Sequence, residues 1–396
     1  MKLNGNMSRF SRRSGLYLAA FLGDFSMGAG QFGAPLLAIA LGASQLQLGL
    51  LGLSWVIYLL GCVAMGTLSD RWGRKQLPLL ACLLLAITYP LLGVMPSFWS
   101  LLLLYCFAGA AMSLFWPPLM TWLTEQPENR SLLGSVGTYN VSWSIGLGLA
   151  PLVGGLLAKR SLLLPPALPL LAMPIVAGML LLAGSGRHKT KQPEGWHTPR
   201  PLAPTFLFIG WIANFSLFFC VVLSGVFLPK VTTEMGISTV VLGAVLASLG
   251  IARTLMFVFA GLVPGWQYRL WPIVIALCGA TAGMLAVFWS ASPAIWVAGF
   301  VLLGLAVGLI YTSSLLYTLD LSSSRLGLRT GIHESLIGAG GVFGPLGGGL
   351  VAELTGNMKS PWLLAAAVPF LALLAAIILY ALATTRLKRQ QGSQSS

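Results

Sequence analysis

The chain has 396 residues, of which 57% are hydrophobic and 8% charged, against about 25% charged in an ordinary soluble domain. That balance excludes a large soluble domain and places the chain in a lipid bilayer. A net charge of +14 would suit nucleic acid in a soluble protein, but the 23 Lys and Arg residues stand singly between apolar runs and form no continuous phosphate-binding face.

Twelve apolar stretches follow one another, over residues 15–41, 48–69, 76–95, 98–123, 133–158, 162–184, 205–229, 240–262, 270–290, 294–319, 329–352 and 361–384. Each approaches the roughly 20 residues that cross a bilayer as a helix. They predict an all-α membrane protein of twelve transmembrane helices. The first span follows Arg9, Arg12 and Arg13 as a signal peptide would, but it is longer than an h-region and carries no small-residue cleavage site, so it is expected to stay attached. The polar connection at 185–204 divides an N-terminal half, 1–184, from a C-terminal half, 205–385, and residues 386–396 form a tail whose GSQSS end reads as disordered.

With the N-terminus inside, 18 Lys and Arg residues fall in inside connections, against four outside: Lys159, Arg160, Lys230 and Lys359. Cytoplasmic loops retain the positive charge, so both termini are expected in the cytoplasm, with the chain in the cytoplasmic membrane. The remaining base, Arg253, lies within span eight. Cys62, Cys82, Cys106, Cys220 and Cys278 sit in apolar runs without metal-ligand spacing and read as packing residues, with no disulfide and no metal.

Span five contains Gly137, Gly146, Pro151, Gly154 and Gly155; span eleven contains Gly331, Gly340, Pro345, Gly348 and Gly349, each displaced by 194 positions. The same offset relates Pro35 to Pro229 and Leu48-Gly49 to Leu242-Gly243. Two copies of a six-helix unit in parallel predict two pseudo-symmetric bundles, the architecture of a transporter whose halves rock about a central site.

Between spans two and three stands Gly66-Thr67-Leu68-Ser69-Asp70-Arg71-Trp72-Gly73-Arg74-Lys75. It resembles the loop signature of the major facilitator superfamily, Gly-x-Leu-(Ala/Ser)-Asp-(Arg/Lys)-x-Gly-(Arg/Lys)-(Arg/Lys), at every defined position. The resemblance implies that Asp70 touches span eleven and holds one state of the transport cycle, while the basic residues meet acids after span four, here Glu125 or Glu128. The counterpart at 261–269 has Pro264 where the acid would fall, so the lock is asymmetric. The glycine pattern of span five resembles the antiporter signature of drug-efflux members, with Ala150 in place of one Gly; the second copy has Gly344 there. Small residues let helix backbones approach closely, and generic tight packing is the other reading of these glycines.

Asp24 and Glu334 fall well within spans. A charge at membrane depth costs about 2.5–3.5 kcal/mol even on the lenient insertion scale, so it faces a cavity or a partner. Asp24 shares a face with Gln31 and reads as a cavity acid that exchanges a proton or meets a cationic substrate; a protonated acid hydrogen-bonded for packing is the alternative. His333 and Glu334 are adjacent and diverge by about 100° on a helix, so one faces the cavity and the other a neighbouring helix. Glu334 is either a coupling group or the structural partner of Arg253 or Arg329. Arg253 is that partner, a coupling cation, or an anchor for an anionic substrate group. In the resembling family, spans one, four, seven and ten line the cavity, which brings in Gln31, Trp116, Trp122, Asn214, Ser216, Tyr311, Thr312 and Tyr317, with Tyr139, Asn140 and Trp143 of span five in reach. Some proton-driven relatives carry an Arg in span four, which is absent from 98–123.

The expected function is a monomeric secondary transporter, without cofactor or nucleotide loop, that uses the proton gradient to export a small organic compound by antiport. A proton-coupled importer, a lipid or metal-chelate (siderophore) carrier, and a non-transporting sensor or assembly factor are the alternatives. Neither an enzyme nor a nucleic-acid partner is expected.

Overall fold

A computed structural model describes residues 2–124, 132–183, 201–321 and 326–394. Among them the chain forms helices α1 (Lys2–Ala40), α2 (Gln45–Leu50), α3 (Leu53–Trp72), α4 (Gln76–Leu92), α5 (Phe98–Thr124), α6 (Leu132–Ala158), α7 (Leu164–Leu182), α8 (Ala203–Glu234), α9 (Thr239–Leu262), α10 (Leu270–Trp289), α11 (Pro293–Asp320), α12 (Leu326–Thr355) and α13 (Ser360–Gln394). Helices are what a lipid solvent demands, because each satisfies its own backbone polar groups. Ten stretches of the described residues are long and apolar enough to cross a membrane. The other two predicted spans are α1, diluted by Asp24 and Gln31, and α4, which is 17 residues long. Span two is broken at Leu51 and Gly52 into α2 and α3. The C-terminal tail departs from the sequence reading: α13 runs on to Gln394, because Thr385 to Gln391 contains good helix formers and neither Gly nor Pro to stop it.

Helices α1 to α7 pack on one another, as do α8 to α13, and the main contacts of one set have counterparts in the other: α1 on α6 and α8 on α12, α3 on α5 and α9 on α11. The repeat reaches into the turns. Gly42 and Gly236, again 194 apart, adopt φ of 77° and 67° after α1 and α8, a conformation that glycine takes without steric cost. Two residues later Ser44 and Ser238 accept hydrogen bonds from Gln47 N and Val241 N, capping α2 and α9.

The paired glycines join the helices. A Cβ on Gly146 would lie 2.9 Å from Phe25 N of α1, and one on Gly340 would lie 2.7 Å from Phe219 N of α8. Ala150, where the second copy has Gly344, is accommodated by Gly28 opposite, whose own Cβ would come within 2.8 Å of the alanine methyl. Gly154 packs on Phe32, and Gly348 on Phe227 and Leu223.

Two seams join the halves. In the first, α6 lies on α9: the Pro151 carbonyl meets Gly243, Thr239 Oγ1 donates to Gly155 O at 2.9 Å, and Gly148 touches Gly250. In the second, α12 lies on α2 and α3: a Cβ on Gly49 would fall 2.7 Å from Pro345 O, and one on Gly349 would fall 2.9 Å from Gln45 O.

Candidate substrate and coupling site

Midway along the seams lie the charges. Arg253 of α9 is 1% exposed. Its Nε donates to Ser144 Oγ of α6 at 2.8 Å, and its guanidinium carbon lies 4.7 Å from the centre of the Trp143 ring. Ser144 Oγ is also 2.8 Å from Thr254 Oγ1. A cation over an indole face is attracted by the ring quadrupole, so the first half cradles a base that belongs to the second. Asp24 of α1, also buried, is within electrostatic reach of Arg253. No hydrogen bond or ion pair joins the two among the described residues.

Glu334 does the converse. It belongs to α12, and Tyr58 of α3 in the first half donates to its Oε2 at 3.3 Å. Of the partners foreseen for Glu334, Arg253 makes no hydrogen bond or ion pair with it among the described residues, and the Arg329 side chain lies outside the described residues. His333 turns away from Glu334, as adjacent helical positions must: its Nδ1 is 2.9 Å from Ser314 Oγ of α11, and its ring lies edge-on to Tyr311 at 5.1 Å.

Tyr311 links the two groups of charges. Its ring is 5.5 Å from Trp143, 5.7 Å from Phe257 and 6.0 Å from Phe218, and it interacts electrostatically with Glu334, Arg253 and Asp24. Tyr139 is buried near the same acids. Asn140 is fully buried, as are Asn214, Ser216 and Thr312 nearly so.

Other predicted site residues lie elsewhere. Gln31 donates to Met112 Sδ at 3.4 Å, beside a cavity of about 10 Å³ shared with Tyr58, Tyr89 and Tyr105, space for about one water. Trp122 is wholly buried, and half-buried Trp116 packs edge-on to Phe115. Tyr317 belongs to the interior of the second half: its hydroxyl accepts from Tyr268 N at 3.1 Å and its ring lies against Phe206 and Tyr268. The five cysteines are free thiols, and no group of three metal-ligating side chains occurs among the described residues.

In the loop motif, Gly73 ends α3 with φ of 97°, its N–H bonded to Ser69 O. Arg74 Nη1 donates to Ser69 Oγ at 2.7 Å, Lys75 Nζ donates to Leu181 O at 2.9 Å, and Arg71 is exposed. The surroundings of Gly66, the side chain of Asp70, and the whole of Glu125, Glu128 and most of the linker lie outside the described residues.

The family model described as Major Facilitator Superfamily matches residues 16–322 and again 211–395. The chain belongs to the major facilitator superfamily. Its helices are those of a multi-pass membrane protein of that fold. A nucleoside transporter, NupG, superimposes with a TM-score of 0.69 over 93% of this chain and 99% of its own, at 14% identity, which speaks to the fold alone. Over 141 residues the chain is 32% identical to an uncharacterized MFS-type transporter of Mycobacterium tuberculosis (strain ATCC 25618 / H37Rv), covering 33% of this chain and 32% of that protein. Over 98 residues it is 38% identical to the multidrug resistance protein MdtG of Citrobacter koseri, covering 24% and 23%. These matches span about a third or less of the length of the curated relatives.

Sequence reading missed Tyr58, Ser144 and Ser314, the partners of Glu334, Arg253 and His333, and Thr254 beside Ser144. Hydroxyls are common in this chain and none carries a spacing that marks it. The repeat offers a faint signal, since Ser144 stands where the second copy has Gly338 and Tyr58 where it has Ala252.

Proposed function

We propose that this superfamily transporter is a monomer that exports a small organic compound in exchange for protons, by alternating access between the two halves. The observation that carries the reading is the placement of the acids. Asp24 and Glu334 are held at the junction of the halves, and each acts on a group from the opposite half: Arg253 for Asp24 and Tyr58 for Glu334. A proton gained or lost there changes the interaction between bodies that must move, which is what coupling requires. Glycine seams of the antiporter type and the partial similarity to MdtG favour export. The Lys and Arg distribution puts both termini in the cytoplasm of the producing cell, and the end bearing Gly49, Gly155, Gly243 and Gly349 then faces outward.

The test is proton flux in proteoliposomes with an interior pH dye and a panel of organic cations, sugars, amino acids and organic acids. A compound that drives protons in the direction opposite to its own movement is the expected result, with Asp24→Asn abolishing uphill transport while permitting exchange. Uphill transport unchanged in Asp24→Asn removes Asp24 from the mechanism, and protons moving with the compound make the protein a symporter.

A further inference from the structure

The centre holds hydrogen-bonding groups that nothing in the fold satisfies. Arg253 Nη2, Trp143 Nε1 and both amide atoms of Asn140 are buried and have no hydrogen-bond partner. Native proteins leave only a few buried polar atoms unpaired, and each such atom asks for an explanation. Four of the nine such side-chain atoms among the described residues gather on one turn of α6 and the side chain clamped to it. Asn140 precedes Ser144 by four residues, one turn and about 40° round the helix, and Trp143 stands under the Arg253 guanidinium. Positions 145 and 149 on the opposite face are exposed, so Asn140 and Trp143 face inward. Three of the orphaned groups are donors, one a cation, and one is an acceptor. The Trp143 ring beneath the guanidinium continues into those of Phe257, Tyr311 and Phe218.

We propose that this cluster is the binding site for the carboxylate of the transported compound, and that the compound is an aromatic or otherwise apolar carboxylic acid. Arg253 Nη2 and Asn140 Nδ2 hold the carboxylate oxygens, and the rings take the apolar body once the halves part. Ser144 acts through Arg253: its bond to Nε fixes the guanidinium and leaves Nη2 to point at the ligand. Asp24 is the counter-charge that the carboxylate replaces. The inference names the substrate class of the transport reading above and rests on it, but its test does not depend on transport.

A site built for the carboxylate itself takes a small one, so the probe is benzoate, with benzamide and benzylamine as neutral and cationic counterparts, added to the purified full-length protein in detergent. Benzoate is expected to raise the melting temperature by about 2 °C or more at saturating concentration, while benzamide and benzylamine leave it unchanged. Arg253→Gln and Asn140→Leu are each expected to erase the shift, and Asp24→Asn to give half the maximal shift at a several-fold lower benzoate concentration. If Arg253→Gln does not fold, Asn140→Leu decides. Equal shifts with benzamide, a benzoate shift that survives in Asn140→Leu, or no benzoate shift in the unmutated protein overturns the proposal. A benzoate shift in a protein that moves no protons in proteoliposomes would leave the carboxylate site standing and remove the coupling reading instead.

Discussion

The two seams between the halves come from one repeat, yet they differ at the level where the chemistry lies. At one end they match atom for atom: Pro151 and Gly155 meet Gly243 as Pro345 and Gly349 meet Gly49. Midway they diverge. In the first seam Arg253 bonds Ser144; the corresponding positions of the second are Leu59 and Gly338, which pack as plain hydrocarbon on backbone, a Cβ on Gly338 lying 2.9 Å from Leu59 Cβ. In the second seam Glu334 bonds Tyr58, whereas the position matching Glu334 in the first is Asn140, left unpaired. At the far end the first seam is still closed, with Gly137 near Gly261, while the space at Gly331 is open among the described residues. Duplication supplied matching close contacts of small residues at the end where the seams agree. Midway along, a buried base stands in the first seam and an acid bonded to tyrosine stands in the second.

Substitutions test that contrast, and the largest effect is expected of Arg253→Leu, which gives the first seam the residue of the second. It leaves Asp24 a buried acid without the cation that stands within its electrostatic reach, and an uncompensated buried charge costs several kcal/mol, read as a lowered melting temperature in detergent. Adding Asp24→Asn is expected to recover most of that stability but none of the transport. Recovery of transport in the double variant would make the pair structural.

Where backbones touch, Gly243→Val drives methyl groups into the Pro151 carbonyl. It is expected to cost about 3 kcal/mol and to abolish transport, seen as earlier melting together with inactive proteoliposomes. A variant with unchanged melting would show that the first seam is looser than described.

Tyr58→Phe removes only the hydroxyl that reaches Glu334 across the second seam. A loss of about 1–2 kcal/mol corresponds to roughly a tenfold lower turnover, with KM little changed because the bond joins protein to protein. A raised KM at constant turnover would instead put Tyr58 in contact with the substrate. The smallest effect is expected of Gly331→Ala. It fills open space and gains up to about 1 kcal/mol in helix propensity, so melting should hold or rise slightly; a marked loss of stability would show that this end of the second seam closes after all.

Span number, the six-plus-six duplication and the loop motif were legible in the sequence because each leaves a linear trace: a run of apolar residues, a constant offset of 194, a fixed order of residue types. Asp24, Arg253, His333 and Glu334 were legible too, since a charge inside an apolar run is conspicuous. Partners were not. Glu334 had Arg253 among its foreseen partners and instead meets a tyrosine 276 positions away, and Arg253 meets a serine 109 positions away. Tyr317 was foreseen in the cavity and lies inside the second half.

The physical reason is the solvent. In water an apolar stripe tells a helix which way to turn, whereas in a bilayer the side facing lipid is as apolar as the side facing protein, so the sequence of a span fixes its length and depth but not its rotation. The small residues that set rotation act only when another helix arrives against them. The sequence by itself determined how many helices cross the membrane, that they come in two copies, and which four positions carry a titratable or cationic group at depth. Tertiary structure alone decided which way each helix faces, and with that which hydroxyl, ring or backbone each charge meets.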